Sequence, residues 1–132
     1  ISEHQKLTKL KESRYSTLMF MIDHNRETLY DRINRRVDIM MEEGLYDEVK
    51  SLLKRGYSDT LNSMQGIGYK ELISCIKGDI SLDAAVGLIK QNSRRYAKRQ
   101  LTWFRRNEKL NLLNPETSTD DAIEIIKHHF NG

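Results

Sequence analysis

Residues 26–56 read RETLYDRINRRVDIMMEEGLYDEVKSLLKRG and predict two consecutive helices. In the first part, apolar side chains recur three or four residues apart and fall in one arc of about 120° on a helix. Gly44 and Gly56 each follow such a run, and glycine commonly ends helices because it adopts the left-handed conformation without strain. The stretch therefore predicts one amphipathic helix over 26–43, a second over 45–55, and a helical hairpin.

Strand-like segments are few in this sequence. Residues 15–22, YSTLMFMI, form a short apolar run that ends at polar residues, which predicts a buried core strand. A single strand leaves its backbone groups unpaired, so its neighbour is expected to be residues 110–113 or chain outside this sequence. Residues 110–132 are expected to form a C-terminal strand and helix.

Hydroxyl side chains mark the starts of the other predicted helices, because Ser and Thr are favoured N-caps. The expected helices cover 3–12 after Ser2, 64–77 after Ser63, 82–106 after Ser81, and a last segment after Thr119. Residues 26–106 are thus a helical region. The 132 residues are expected to form a single, mostly α domain with one or two strands.

Positive charge is concentrated in one segment. The chain has 22 Lys and Arg against 19 Asp and Glu, a formal net charge of only +3. Residues 90–109 hold eight basic side chains against Glu108 alone. Stepped at about 100° per residue, six of these cations share one arc of about 140°, with Thr102 among them as a hydroxyl donor. The six are Arg94, Arg95, Lys98, Arg99, Arg105 and Arg106.

This one-sided charge favours an anionic partner over a solvated outer face, because solvated faces usually mix both signs. Cations with a neutral hydroxyl among them are the groups that position phosphates. Tyr96 and Trp103 fall on the other side of the helix and are predicted to belong to the core.

Residues 65–70, QGIGYK, form a second unusual segment. Each glycine inside a helix costs about 1 kcal/mol relative to alanine, so Gly66 and Gly68 need a reason. Close approach by a nucleic-acid strand and packing by another helix both provide one. The sequence leaves these two readings open.

Arg32 and Arg36 lie one turn apart at the margin of the apolar face of the first helix. Their guanidinium groups are therefore placed to converge on one anion. The alternative is that both side chains simply extend from the apolar margin into solvent.

A self-contained active site is missing from the sequence. The seven glycines cannot form the phosphate-binding pattern G-x-x-x-x-G-K-[ST], and the four histidines have no metal-ligand spacing. The single cysteine, Cys75, excludes an internal disulfide and predicts a reducing, cytoplasmic environment. The sequence contains no apolar run of about 18 residues, the length that a membrane-spanning helix requires.

Four blocks, in this order and spacing, resemble the C-terminal portion of the tRNA dimethylallyltransferases, also called tRNA isopentenyltransferases. They are LYDRINRRV at 29–37, GLYDEV at 44–49, QGIGYKEL at 65–72 and RRYAKRQLTWFR at 94–105. The resemblance covers about residues 1–115, and Ser93 stands where the family is expected to prefer threonine. It implies a P-loop kinase-like α/β fold whose N-terminal core is absent from this chain, which begins at Ile1.

The resemblance also implies an activity: transfer of a dimethylallyl group from its diphosphate to N6 of the adenosine next to the anticodon, with Mg2+. Arg32 matches the family's active-site arginine. The matching tRNA contacts are Gln65, Gly66, Ile67, Gly68, Tyr69, Lys70, Lys98, Arg99, Gln100, Leu101, Thr102, Trp103, Phe104 and Arg105. Additional anion contacts are expected from Arg36, Arg94 and Arg95.

The implied partners are a tRNA anticodon stem-loop and dimethylallyl diphosphate, bound by a monomer with no membrane contact. The family's phosphate loop, general-base aspartate and metal ligands are expected upstream of Ile1, so residues 1–132 alone are expected to be inactive. Two alternatives remain open: a free-standing helical RNA-binding module, and an enzyme that prenylates free adenine nucleotides. The one-sided cationic helix argues against the second.

Overall fold

The structure is a computed structural model that describes residues 14–131, and the helix expected over 3–12 lies outside them. Contacts divide the chain into two compact units. The helical unit is His24–Arg106. The strand unit comprises the described residues up to Asp23 and those from Asn107 onward.

The helical unit contains four α-helices and one short 3₁₀ helix among the described residues. The α-helices are α1 (Arg26–Glu42), α2 (Leu45–Lys54), α3 (Tyr69–Ile76) and α4 (Leu82–Arg105), and the 3₁₀ helix is Asn62–Gln65. The predicted hairpin is confirmed by α1 and α2. Asn25 begins it, since its Oδ1 accepts a hydrogen bond from the Thr28 amide at 2.7 Å. Gly44 joins the two helices with a φ of +99°.

All four helices contribute to one apolar core. Val49 from α2, Leu72 from α3 and Ile89 from α4 are its largest fully buried side chains. Burying each such side chain contributes about 1.5–3 kcal/mol, so this core is the main source of the unit's stability. The core also contains Val37, Leu45, Met64, Ile73 and Ala85.

The prediction of a single helix over 64–77 is wrong in its first part. The chain forms the 3₁₀ helix, which includes Ser63, and α3 begins only at Tyr69. Between them, Gly66 is extended and Gly68 has a φ of +99°. A helix cannot continue through the extended backbone of Gly66 or the positive φ of Gly68, which is why the two glycines separate the two segments.

The prediction for α4 is confirmed: Ser81 Oγ accepts from the Ala84 amide at 3.1 Å, and the helix ends at Arg105. The predicted core positions of Tyr96 and Trp103 are wrong, since these side chains are 51% and 66% exposed. The reason is that the buried positions of α4 lie in its first third, and the helix continues past the core of its unit.

The strand unit contains two parallel strands, β1 (Met19–Ile22) and β2 (Leu110–Leu113), followed by helix α5 (Ser118–Asn131). The register pairs Met19 with Leu110 and Ile22 with Leu113. β1 is shorter than the strand expected over 15–22, because β2 offers only four residues for pairing. The expected burial of this strand is wrong for the described residues, since Met19 and Ile22 are 40% and 49% exposed. β1 has only one neighbouring strand there, which leaves much of its surface uncovered.

The last helix begins before Thr119. Thr117 Oγ1 donates to Asp121 Oδ2 at 2.7 Å, and the Asp121 amide donates to the Thr117 carbonyl at 3.0 Å. Thr119, the expected cap, therefore lies inside the first turn. Among the described helices, none has the length and apolar character needed to cross a membrane.

Candidate functional site

A cavity of about 350 Å³ lies between α1, α4 and the segment before α3. Its lining residues are Arg32, Ile33, Arg36, Val37, Met40, Ile67, Ile89 and Ser93. We call it the two-arginine cavity. It brings both predicted anion-binding arginines together with Ile67, which the sequence placed in a different block.

The two arginines differ from the rest of this cavity. Arg32 and Arg36 are exposed, whereas Val37 and Ile89 are buried. Arg32 Nη1 lies 3.4 Å from His24 Nε2, a contact that orients the guanidinium group at the cavity. An arginine pair beside an apolar wall suits a ligand with an anionic group and a hydrocarbon part.

Residues 65–70, here called the glycine loop, are held from inside by a buried carboxylate. Glu71 is 4% exposed, and its Oε2 accepts from the Gly68 amide at 2.7 Å. Its Oε1 accepts from Asn92 Nδ2 of α4, also at 2.7 Å. Both oxygens are therefore satisfied, as a buried carboxylate requires. Sequence reasoning did not single out Glu71 or Asn92, which are separated by 21 positions.

Two polar side chains of the glycine loop also bond within the protein. Gln65 Nε2 donates to the carbonyl of Asp59, and the Tyr69 hydroxyl donates to Glu48 Oε1 at 2.7 Å. The hydrogen bond to Glu48 raises the pKa of Tyr69. Lys77 pairs with Asp59 and holds the pKa of that carboxyl below its ordinary value. Gln65 and Tyr69 thus brace the loop, and their contact with tRNA stays a prediction.

The two glycines of this loop have different explanations. Gly68 is buried with positive φ, so the backbone itself requires glycine there. Gly66 is exposed and extended, and an added Cβ would meet only the Ser63 carbonyl oxygen, at 3.6 Å. Neither φ nor packing requires glycine at 66. Close approach by a partner therefore remains a reason for glycine at that position.

A second cavity, of about 300 Å³, lies on the last turns of α4. We call its lining the basic patch, which consists of Lys98, Arg99, Thr102, Trp103 and Arg106. All five residues are exposed. The patch combines three cations with an indole ring, which Phe104 meets edge to face at 4.9 Å between ring centroids.

Not every predicted cation of α4 belongs to this patch. Arg94 Nη1 donates to Asn34 Oδ1 at 2.6 Å, and Lys90 pairs with Asp38 at 2.7 Å. These two side chains tie α4 to α1. Thr102 was expected as a free hydroxyl donor, but it donates to the Lys98 carbonyl at 3.0 Å because a helical threonine reaches that oxygen readily.

The remaining predicted contacts are distributed along both segments. Lys70, Arg95, Gln100 and Arg105 are exposed, and Leu101 is half-buried. Within residues 14–131, no three His, Cys, Asp or Glu side chains are grouped so that they could hold a metal ion. No magnesium ligand is therefore assigned to these residues.

Comparison with known proteins gives one consistent result. The family model described as IPP transferase matches residues 1–107. The tRNA dimethylallyltransferase of Acetivibrio thermocellus is 45% identical over 128 residues, which are 97% of this chain and 41% of that protein. The enzyme of the same name from Staphylococcus haemolyticus is 50% identical over 117 residues, 89% of this chain and 35% of that protein.

Two solved structures have the same fold. The full-length tRNA isopentenylpyrophosphate transferase of Bacillus halodurans superposes with a TM-score of 0.78 at 44% identity, covering 97% of this chain and 42% of that chain. The tRNA delta(2)-isopentenylpyrophosphate transferase of Staphylococcus epidermidis gives 0.79 at 46% identity, covering 99% and 42%. The chain thus spans less than half the length of these relatives.

Proposed function

The chain belongs to the IPP transferase family, and on that premise we propose that it serves transfer of a dimethylallyl group from dimethylallyl diphosphate to N6 of the adenosine next to the anticodon of tRNA. The chain supplies tRNA contacts and the active-site arginine, Arg32. The observation that carries this proposal is the two-arginine cavity, in which Arg32 and Arg36 stand beside an apolar wall.

The two-arginine cavity matches the chemistry of the donor. The diphosphate is anionic and suits Arg32 and Arg36, while the prenyl group suits Ile33, Met40 and Ile67. When N6 bonds to the allylic carbon, the bond from that carbon to the diphosphate oxygen breaks and its electron pair stays on the diphosphate. N6 gives up one proton to the general-base aspartate that the family resemblance implies upstream of Ile1. A preorganised guanidinium stabilises this growing charge, and Arg32 is oriented by His24.

The basic patch matches the chemistry of the acceptor. Lys98, Arg99 and Arg106 suit backbone phosphates, and the exposed indole of Trp103 suits an unpaired base. Bases in single-stranded loops can be splayed out, and a flipped adenine is what N6 chemistry requires. In the glycine loop, Gly66 lets an RNA backbone approach closely, while Gln65 and Tyr69 keep the loop in shape.

Magnesium dependence, a monomeric state and a cytoplasmic location belong to the same proposal and stay predictions from the family. Magnesium would neutralise diphosphate charge when bound. A free adenine nucleotide as the acceptor is the weaker alternative, because it would leave the basic patch without a use. An RNA-binding module without catalysis would leave the two-arginine cavity without a use.

The test is Arg32→Ala in the full-length protein, measured by single-turnover transfer to tRNA and by tRNA affinity. We expect the transfer rate to fall by about 100-fold or more, as for loss of one preorganised donor to a developing anion. Affinity for tRNA should hardly change. Arg35→Ala is the matched control, because Arg35 is exposed on the same helix and does not line the cavity. Equal losses of rate and affinity would contradict the role of Arg32.

A further inference from the structure

Glu71 has a bonding pattern that helix capping alone does not explain. Its bond to the Gly68 amide satisfies a donor at the start of α3, which is a capping function. Its second oxygen accepts from Asn92 of α4, and that bond contributes nothing to the start of α3. Glu71 therefore bridges the glycine loop to a different helix.

The bridge lies directly beside the two-arginine cavity. Gly68 follows Ile67, and Asn92 precedes Ser93. Ile67 and Ser93 both line the cavity, on the loop side and the α4 side. The carboxylate of Glu71 thus joins the neighbours of two wall residues that lie on different segments, and it does so from a buried position where water does not compete.

We propose that Glu71 is a positioning residue that, by bridging Gly68 and Asn92, sets the separation between the Ile67 and Ser93 walls of the two-arginine cavity. This inference rests on the proposed function, because that function assigns the two-arginine cavity to the prenyl donor. Glu71 does not touch the donor. It acts through Ile67, whose position determines how closely the cavity fits the hydrocarbon part of the ligand.

The geometry requires hydrogen bonds at this position. In Glu71→Gln, the amide oxygen accepts from the Gly68 amide, and the amide nitrogen donates to Asn92 once the Asn92 side chain turns to present its oxygen. Glu71→Ala removes both hydrogen bonds and also the ion pair between Glu71 Oε1 and Lys70 Nζ, 3.9 Å apart. Asn92→Ala removes only the bridge and leaves the capping bond to Gly68. These three variants separate bridging from capping and from charge.

The experiment measures kcat and the KM for dimethylallyl diphosphate in the full-length protein, with hydrogen exchange of the glycine loop as a second readout. We expect Asn92→Ala to raise this KM about tenfold, as for a slightly misplaced wall, while Gly68 stays protected. Glu71→Ala should raise the KM at least as much and also speed exchange at Gly68. Glu71→Gln should behave like the wild-type protein in both readouts.

Val49→Ala is the matched control for lost stability, since Val49 is fully buried in α2 and does not line the cavity. It should lower the melting temperature and leave the KM unchanged. An unchanged KM in Asn92→Ala, or a Glu71→Gln variant as impaired as Glu71→Ala, would overturn the inference. Absence of transfer by the wild-type protein would instead overturn the proposed function, and hydrogen exchange would still report whether the bridge holds the loop.

Discussion

The glycine loop and the basic patch carry the same predicted role in RNA contact but are built in opposite ways. The side chains of Gln65 and Tyr69 bond to the protein itself, and Gly66 of the same loop is exposed. The basic patch extends its cations and the Trp103 ring into solvent. Apart from the exposed Lys70, the loop thus offers backbone shape, whereas the patch offers charge and an aromatic surface. Variants of the two regions should therefore fail in different ways.

The largest expected effect on stability falls at Gly68. Its φ of +99° is strained for any other residue, so Gly68→Ala should lower the free energy of unfolding by about 2 kcal/mol. The added Cβ would only touch Leu45 Cδ2 at 3.7 Å, so the cost comes from the backbone. Thermal unfolding of the full-length protein measures this loss. Gly66→Ala is the matched variant, and a comparable loss there would contradict the distinction between the two glycines.

In the basic patch, the largest expected effect comes from the indole ring. Trp103→Ala should weaken binding of an anticodon stem-loop by about 1–3 kcal/mol, the usual value of one base–aromatic stack. Because the side chain is 66% exposed, the melting temperature should hardly change. Fluorescence anisotropy with labelled RNA measures the affinity. Unchanged affinity would remove stacking from the proposed role of Trp103.

A smaller effect is expected from the brace between Tyr69 and Glu48. Tyr69→Phe removes one hydrogen bond to a carboxylate, which should lower stability by about 1 kcal/mol. The hydrogen bond to Glu48 raises the folded-state pKa of Tyr69 above its ordinary value of 10.0, so this stabilisation is present below pH 10 and is lost as pH rises through the folded pKa. Stability of the wild-type protein should therefore fall more steeply above pH 10 than that of Tyr69→Phe. Parallel alkaline profiles would contradict the brace.

The sequence predicted the elements that depend on local signals. The hairpin of α1 and α2 and the start of α4 follow from local signals, namely apolar spacing, Gly44 and the Ser81 cap. The break before α3 was not predicted, because Gly68 takes its positive φ in a loop that Glu71 holds, and Glu71 is itself held by Asn92, 21 positions further along the chain. Helical spacing also does not show how far along α4 the buried positions extend.

The candidate site likewise has one part that helical spacing predicted and one part that it did not. Spacing alone brought Arg32 and Arg36 to one side of α1, and the two-arginine cavity agrees with it. Ile67 lines the same cavity from the segment before α3. Its place there depends on tertiary packing and could not be predicted from helical spacing. Arg94 also has a contact that helical spacing did not predict: its Nη1 donates to Asn34 Oδ1 of α1, while its role as an anion contact stays a prediction.

The central claim is that the glycine loop contributes backbone shape to RNA binding and that the basic patch contributes charge. The salt dependence of anticodon stem-loop binding tests this claim most directly. Lys98→Gln with Arg99→Gln should reduce the slope of log affinity against log salt by about 1.4–1.8, because two phosphate contacts are lost. Gly66→Ala should weaken binding by the same factor at every salt concentration. Lys54→Gln with Arg55→Gln, two exposed cations elsewhere, is the control and should leave the slope unchanged. A slope unaffected by the Lys98 and Arg99 changes, or reduced equally by Gly66→Ala, would contradict the account.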